Sequence, residues 1–526
     1  MRCIVQRRTP LPRRRSQRHA LALAALAAAF AHLQFATDAC AQWSNNSPFQ
    51  PQLTDPRHTQ RFARTPDLRL RSTATASEPS SSAGDTGFDS TGSNRKKKKK
   101  KRKAGEARAA PSQLIGGNAG APQVAARASY ANAYQPPNAP SRRASALALD
   151  PYEPLGLHVG AFLLRPSFDI SRGLNTNPGN QHNGKSSAFT TVEPALKLRS
   201  QWPRHEFGAD LRGSFTSYDQ MSSSNRPQLD AKTFTRIDIS RDTRADIENR
   251  FILSTDYPGS PNLPADIAKL PTNTTYGTTA GLTQRLNRLE LSGKASIDRI
   301  VYQDSLLTDG TTSSNRDRDL DQYGGQVRAS YEVMPGVKPF AEIGGDTRQH
   351  DVQFDRNGFQ RDSYALTPKL GTSFELTRKL TGEVSIGYLT RHYKDPSLQE
   401  LRGFVADASL VWAASGLTTA TLTAKSRGDE LVSAGVSGVL RRDVDIQIDH
   451  AFRRWLIGTV KFGYGFDQYV GSERADSRTS LGTALTYKFN RDLSLRGEYR
   501  YNWLDSNVPT QSYDASVFLV GLKLQR

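Results

Sequence analysis

From about residue 158 to the C-terminus, apolar and polar residues alternate with a period of two. Within Thr459 to Tyr469, Val460, Phe462, Tyr464 and Phe466 share one face of an extended chain, and Lys461, Gly463, Gly465 and Asp467 share the other. Leu493 to Trp503 sets Leu493, Leu495, Tyr499, Tyr501 and Trp503 against Ser494, Arg496, Glu498, Arg500 and Asn502. Val444 to Phe452 sets Val444, Ile446, Ile448 and Phe452 against Asp445, Gln447 and Asp449, and Leu289 to Ile297 repeats the theme with Glu290 and Lys294 on the polar side. A helix needs apolar residues at spacings of three and four, which these windows lack. A water-soluble sandwich would need a dry inner face, whereas here that face carries charge. The pattern therefore predicts an all-β fold, a transmembrane antiparallel β-barrel with apolar residues toward lipid and polar residues toward water.

The connections between extended segments alternate in length. Short polar turns are expected near Trp202 to Arg204, Arg241 to Ala245, Leu286 to Arg288, Met334 to Gly336, Thr377 to Lys379, Ala413 to Gly416, Arg453-Arg454 and Asn490 to Asp492. Longer ones are expected over Tyr218 to Ala231, Tyr257 to Thr272, Ser305 to Asp319, Gln349 to Arg361 and Asp505 to Gln511. The parse predicts about 18 strands, with 16 as the alternative because Arg402 to Arg441 divides less cleanly. Barrels of this kind keep short turns in the periplasm and long loops outside, which places both barrel ends in the periplasm.

The first 41 residues read as a secretory signal. Seven arginines between Arg2 and Arg18 precede the apolar run Ala20 to Ala31, and Ala39-Cys40-Ala41 supplies an Ala-x-Ala cleavage site, with Ala39 and Ala41 as its small residues. The apolar run is too short to span a bilayer comfortably. Lipidation at Cys40 is the rival reading, weakened because Thr37-Asp38-Ala39 lacks the usual upstream leucine. Cys3 also lies in the signal, so the mature chain has no cysteine with which to form a disulfide or a thiolate metal site.

Residues 42–150 are rich in Ser, Pro, Ala, Gly and Arg without a sustained period, which predicts a disordered, basic periplasmic arm. Its sharpest feature is the run Arg95-Lys96-Lys97-Lys98-Lys99-Lys100-Lys101-Arg102-Lys103. One reading is a solvated tether; the other is an arm that holds an anionic partner such as lipid headgroups or an acidic envelope polymer. The formal net charge of +20 divides into +6 over residues 1–41, +10 over 42–157 and +4 over 158–526. Nucleic-acid binding would place its basic residues on the folded part, so no nucleic acid is expected as a partner.

Sites of bond chemistry are weakly supported. Gly179 to Ser186 matches the Walker phosphate-loop pattern, but the following Ala188 to Leu198 reads as a strand containing Pro194, where a helix N-terminus is required. Asp317, Asp319 and Asp321 alternate as in a calcium loop, yet Gln322 replaces the turn glycine and Arg328 stands where a bidentate Glu belongs. The histidines are scattered, Asp449 and His450 point to opposite faces of a strand, and neither a cofactor nor a metal is expected. An outer-membrane hydrolase with a site assembled across strands is the least favoured class. The enclosed face is instead expected to carry Arg236, Asp238, Lys294, Asp298, Asp445, Asp449, Lys461, Asp467, Lys488, Arg496, Glu498 and Arg500 in mixed sign. Such residues tune selectivity in a water-filled pore or brace the wall as salt bridges.

Asp150-Pro-Tyr-Glu-Pro-Leu-Gly-Leu-His-Val-Gly-Ala-Phe-Leu-Leu-Arg-Pro-Ser-Phe-Asp169, with Gly173-Leu-Asn-Thr-Asn-Pro178 after it, resembles the opening of a family of outer-membrane β-barrel porins. The closing Val517-Phe-Leu-Val-Gly-Leu-Lys-Leu-Gln-Arg526 resembles that family's last strand. The likeness covers about residues 150–526, and its motifs are structural. It implies an outer-membrane channel, not an enzyme, passing hydrophilic solutes; related barrels beside exopolysaccharide genes extend the implication to polysaccharide export. The implied partners are outer-membrane lipid and lipopolysaccharide and the barrel assembly machinery. The terminus Leu524-Gln525-Arg526 departs from the aromatic ending common to such barrels, which shifts the assembly signal onto Phe518, Val520, Leu522 and Leu524. A plugged barrel with an adhesive or structural role is the alternative.

Overall fold

The computed structural model describes residues 152–526 apart from 265 and 378, so the signal segment, the cleavage site, the arm and the Lys/Arg run lie outside the described residues. A short strand β1 (Leu157–Val159) pairs with the foot of β2 (Phe162–Asn175). The wall continues through β3 (Ser187–Ser200), β4 (Glu206–Tyr218), β5 (Arg226–Asp238) and β6 (Thr243–Thr255). After a loop containing β7 (Ile267–Lys269) come β8 (Thr272–Leu286) and β9 (Leu289–Tyr302), then a second loop with β10 (Ser305–Leu307) and β11 (Thr312–Ser313). The wall then takes in β12 (Leu320–Tyr331), β13 (Val337–His350), β14 (Ser363–Thr377), β15 (Leu380–Tyr393), β16 (Leu401–Trp412) and β17 (Thr418–Asp429). It ends with β18 (Gly438–Arg453), β19 (Leu456–Val470), β20 (Ala475–Lys488), β21 (Leu493–Ser506) and β22 (Tyr513–Gln525). Every neighbour is antiparallel, and β22 returns to β2 from Ser167↔Gln525 to Asn175↔Val517, closing an 18-strand barrel. Closure pairs the donors and acceptors of both edge strands, which a lipid environment demands.

The turns follow from local chemistry. Met334-Pro335-Gly336-Val337 closes with the Val337 amide donating to the Met334 carbonyl at 3.0 Å, and Gly336 adopts φ of 83°, which its missing Cβ permits. Between β8 and β9, Asn287 takes φ of 58°, a left-handed conformation that Asn tolerates better than most residues. Before β21, the Asn490 side-chain oxygen accepts from the amides of Asp492 and Leu493, both at 2.8 Å. Two expected boundaries shift. The turn expected over Arg241 to Ala245 falls at 239–242, and the connection expected over Tyr218 to Ala231 spans only 219–225, because β5 already starts at Arg226. The top of β5 keeps the alternation, with Pro227, Leu229 and Ala231 on one face and Arg226, Gln228 and Asp230 on the other, and ladder pairing with β4 runs to its first residue.

The faces separate by parity. Leu370, Ile386, Phe404, Val520 and Leu485 are exposed, whereas Asp298, Arg348, Asp467 and Arg496 are buried on the enclosed side. Outward aromatic residues gather at the short-turn end, where Trp455, Tyr487 and Phe489 form a chain with ring centroids 5.1 and 4.9 Å apart. Tyr501 and Trp503 pack similarly toward the opposite end of β21. Aromatic girdles of this kind mark the two lipid–water interfaces.

One seam stays unpaired over much of its length. β16 pairs with β17 only from Ala408↔Ala424 to Trp412↔Ala420, and above that point the ladder stops. There the Ser426 hydroxyl donates to the Ala406 carbonyl at 3.1 Å and accepts from the Ala406 amide at 3.0 Å, standing in for ladder bonds.

Candidate functional site: the enclosed charged face and its constriction

All twelve charged residues expected on the enclosed face share the parity opposite the exposed apolar band, because successive residues of a strand alternate. Their surroundings differ. Arg236 pairs with Glu206 at 3.0 Å and lies 3.7 Å from Asp238. Arg250, outside the expected set, donates to both carboxylate oxygens of Asp298, at 2.8 and 2.5 Å, and Asp298 is fully buried. Asp467 receives Arg441 at 3.0 Å and Arg478 at 2.8 Å. Asp449 accepts from Gln447 and Thr459, at 2.9 and 2.8 Å. Glu498 sits between Arg500, with which it makes a short ion pair, and Arg496 at 3.8 Å. Lys488 lies 5.8 Å from the Tyr152 ring centroid. Asp445 is exposed, and Lys294 and Lys461 are half-buried.

Parity identifies a face, whereas partners depend on which strands adjoin, and several ion networks were invisible in single segments for that reason. Arg328 of β12 bridges Glu342 of β13 at 2.7 Å and Glu383 of β15 at 2.8 Å, with its guanidinium 3.8 Å over the Phe340 ring. Arg427, Asp429, Arg441, Asp443, Asp467 and Arg478 form a chain of pairs across β17 to β20. Among the described residues, Lys197, Arg212, Lys461 and Lys523 make no ion pair, and they lie on β3, β4, β19 and β22, near the closing seam.

Two connections fold into the barrel at the long-loop end. In the loop between β6 and β8, Tyr257 is half-buried and lines two cavities, one with Asp467, Tyr469, Arg478 and Tyr513, the other with Glu430, Val439 and Arg441. Burial pushes the Tyr257 phenol above its usual range. This loop reaches the tip of the β17–β18 hairpin, whose Val432 amide donates to the Asn262 side-chain oxygen at 2.9 Å. At the loop's base, Asp256 pairs with Arg318 at 2.9 Å, and that guanidinium stacks 3.8 Å from the Tyr302 ring.

Glu430 anchors the hairpin tip. Its carboxylate pairs with Arg348 at 3.0 Å and meets His350 Nε2 at 3.2 Å. Burial acts to raise its pKa, but Arg348, His350 and Arg391 outweigh burial and hold it far below the ordinary carboxylate range. A depressed folded-state pKa stabilises above the unfolded value of about 4.3 and is lost as pH falls from there through the folded value. Heating the refolded barrel should therefore show a stability gap between the native protein and Glu430→Gln that widens as pH falls from about 8 and His350, whose pKa Glu430 raises above the ordinary 6.5 against the effect of burial, gains its proton, and that narrows again below about pH 4. A gap that peaks near pH 3 would contradict this assignment.

The remaining motifs have structural occupants. The Gly179 to Ser186 segment is followed by β3, not a helix, and Lys185 is exposed. Asp317 is held by Arg356 at 2.7 Å, Asp319 accepts the Tyr302 amide at 2.7 Å, and Asp321 lies 3.4 Å from Arg299, so the three carboxylates serve separate partners. His450 bonds Thr418 at 2.9 Å and packs on Phe452, facing away from Asp449.

Residues 150–526 match the family model described as "Putative beta-barrel porin 2". No curated protein matches the chain. Similar solved structures include a BenF-like porin from Pseudomonas fluorescens Pf-5, at 13% identity and a TM-score of 0.36, covering 69% of this chain and 99% of that one. The outer membrane protein OpdK from Pseudomonas aeruginosa matches at 15% identity and a TM-score of 0.34, covering 69% and 99%. OccAB4 from Acinetobacter baumannii matches at 11% identity and a TM-score of 0.37, covering 69% and 98%.

Proposed function

We propose, from the premise that the chain belongs to the porin family just described, that this outer-membrane barrel conducts small hydrophilic solutes and favours anions. The observation that carries the reading is the charged face enclosed by a closed ring of 18 strands whose outer surface is apolar. A ring of that size encloses a water-filled space. Most of its charges cancel in pairs, which polarises the passage without biasing its sign. The bias comes from Lys197, Arg212, Lys461 and Lys523, which make no ion pair even where a carboxylate adjoins them across the ladder, as Asp210 does Lys197, Asp230 does Arg212 and Asp169 does Lys523. Long loops outward and short turns in the periplasm is the orientation that fits barrels of this class.

Planar-bilayer recording across a potassium chloride gradient tests this directly. The unmodified protein should conduct with a reversal potential on the anion-selective side, and Lys461→Glu with Lys523→Glu should lower the anion-to-cation permeability ratio by about two- to threefold. An unchanged ratio would remove the anion preference; no conductance from correctly folded protein would remove the channel. Polysaccharide export is the large-solute form of the same reading, tested by comparing oligosaccharide flux with ion flux. The second reading, a narrow barrel with a structural or adhesive role, is favoured by the loops folded into the interior.

A further inference from the structure

A water-filled barrel is expected to be polar inside, yet at the long-loop end β14, β15 and β16 turn Ala365, Leu389, Leu401 and Val405 inward, and all four are buried. Leu440 of β18 completes the cluster, although its parity belongs to the outer face. The top of the β17–β18 hairpin thus lies inside the wall formed by β14 to β16, with its outward residues packed on their inward ones. The broken β16–β17 ladder above Ala408 is what allows this tuck. Close approach explains the glycines: a Cβ on Gly428 would lie 2.8 Å from Leu401 Cδ2 and 3.0 Å from Leu389 Cδ2, and one on Gly403 would lie 2.5 Å from Leu440 Cδ2.

Polar fasteners hold the tip there. Arg361, from the loop after β13, donates to the carbonyls of Leu431, Val436 and Ser433 at 2.6, 3.0 and 3.1 Å and is itself fixed by Asp355 at 2.5 Å. Arg348 and His350 hold Glu430, and the Val432 amide joins the tip to Asn262 of the opposite loop. The barrel order places β6 and β8 on the far side of the ring from β17 and β18, so this joint bridges the interior. We propose that the tucked β17–β18 tip, rather than the ring of strands, sets the size of solute that the barrel passes. The inference rests on the channel reading. It assigns Leu401, Leu440, Arg361 and Glu430 as residues that position the size-limiting element.

The only cysteines are Cys3 and Cys40, both ahead of the barrel, so an introduced pair can lock the tip to the wall. Leu401→Cys with Gly428→Cys provides that lock, built into a background of Arg361→Ala and Glu430→Ala. Reduced, this protein should conduct about twofold or more above the unmodified barrel and admit larger polyethylene glycol blockers; oxidised, it should return to the unmodified value. Equal conductance in the two redox states, with bond formation verified by mass, overturns the inference. If the combined background fails to show the heat-dependent electrophoretic shift of a folded barrel, Arg361→Ala alone carries the same comparison. Zero conductance in the folded, unmodified protein defeats the channel reading itself and is distinct from either result.

Discussion

Leu370→Arg should destabilise the barrel by about 2–4 kcal/mol in a lipid-vesicle unfolding titration, because it places a charge against hydrocarbon near the middle of β14. Leu370 is 65% exposed and pairs with Ala341 and Ile386, the latter also outward and exposed. Its neighbour Lys369 already carries a charge on the opposite face, where it bonds Asp407 at 2.7 Å. The control is Thr423→Arg on β17, which points to the enclosed side beside the exposed Asp445 and should shift stability by no more than roughly 0.5 kcal/mol. Two substitutions of equal chemistry thus differ only in the medium they meet. Equal losses at both sites would mean that the faces have been assigned wrongly, and the porin reading would fail with them.

That assignment was legible in the sequence because parity is covalent. Once Val460, Phe462 and Tyr464 form the exposed band, Lys461 has only one direction left, and the closed ring needs no further information to put it inside. The turns were legible for a similar reason. Pro335-Gly336 and Asn490 through Asp492 carry their own geometry, so the count of 18 strands followed from local signals. The constriction was hidden because it depends on which distant segments meet. Leu401, Gly403 and Val405 are apolar or bare at enclosed positions, a break in alternation that could have marked a docking surface, but nothing local to them names Leu440 as the occupant. The same holds for Arg328, whose two carboxylate partners come from different strands.

Among the residues expected on the enclosed face, Asp298 separates bracing from selectivity most sharply. Its side chain has no exposure and that of Arg250 has only 3%, so neither meets a passing solute. Gly277 on the adjacent strand leaves the space that the carboxylate fills, since a Cβ there would lie 1.9 Å from Asp298 Oδ1. Removing one member of such a pair strands the other charge in a dry site, whereas replacing both with apolar side chains of similar volume removes the desolvation problem. Asp298→Ala should therefore destabilise the barrel by about 3–5 kcal/mol in the same titration, and Arg250→Met with Asp298→Leu should recover most of that loss. Ion selectivity should change far less in the double variant than with Lys461→Glu and Lys523→Glu, because Arg250 and Asp298 neutralise each other and the ion pair lost beside them is the 3.8 Å contact of Arg250 with Glu248. A selectivity change as large as that expected for Lys461→Glu with Lys523→Glu would place Asp298 among the groups that solutes sense, and a stability loss in the double variant equal to that of Asp298→Ala would show that the pair is not the brace its geometry describes.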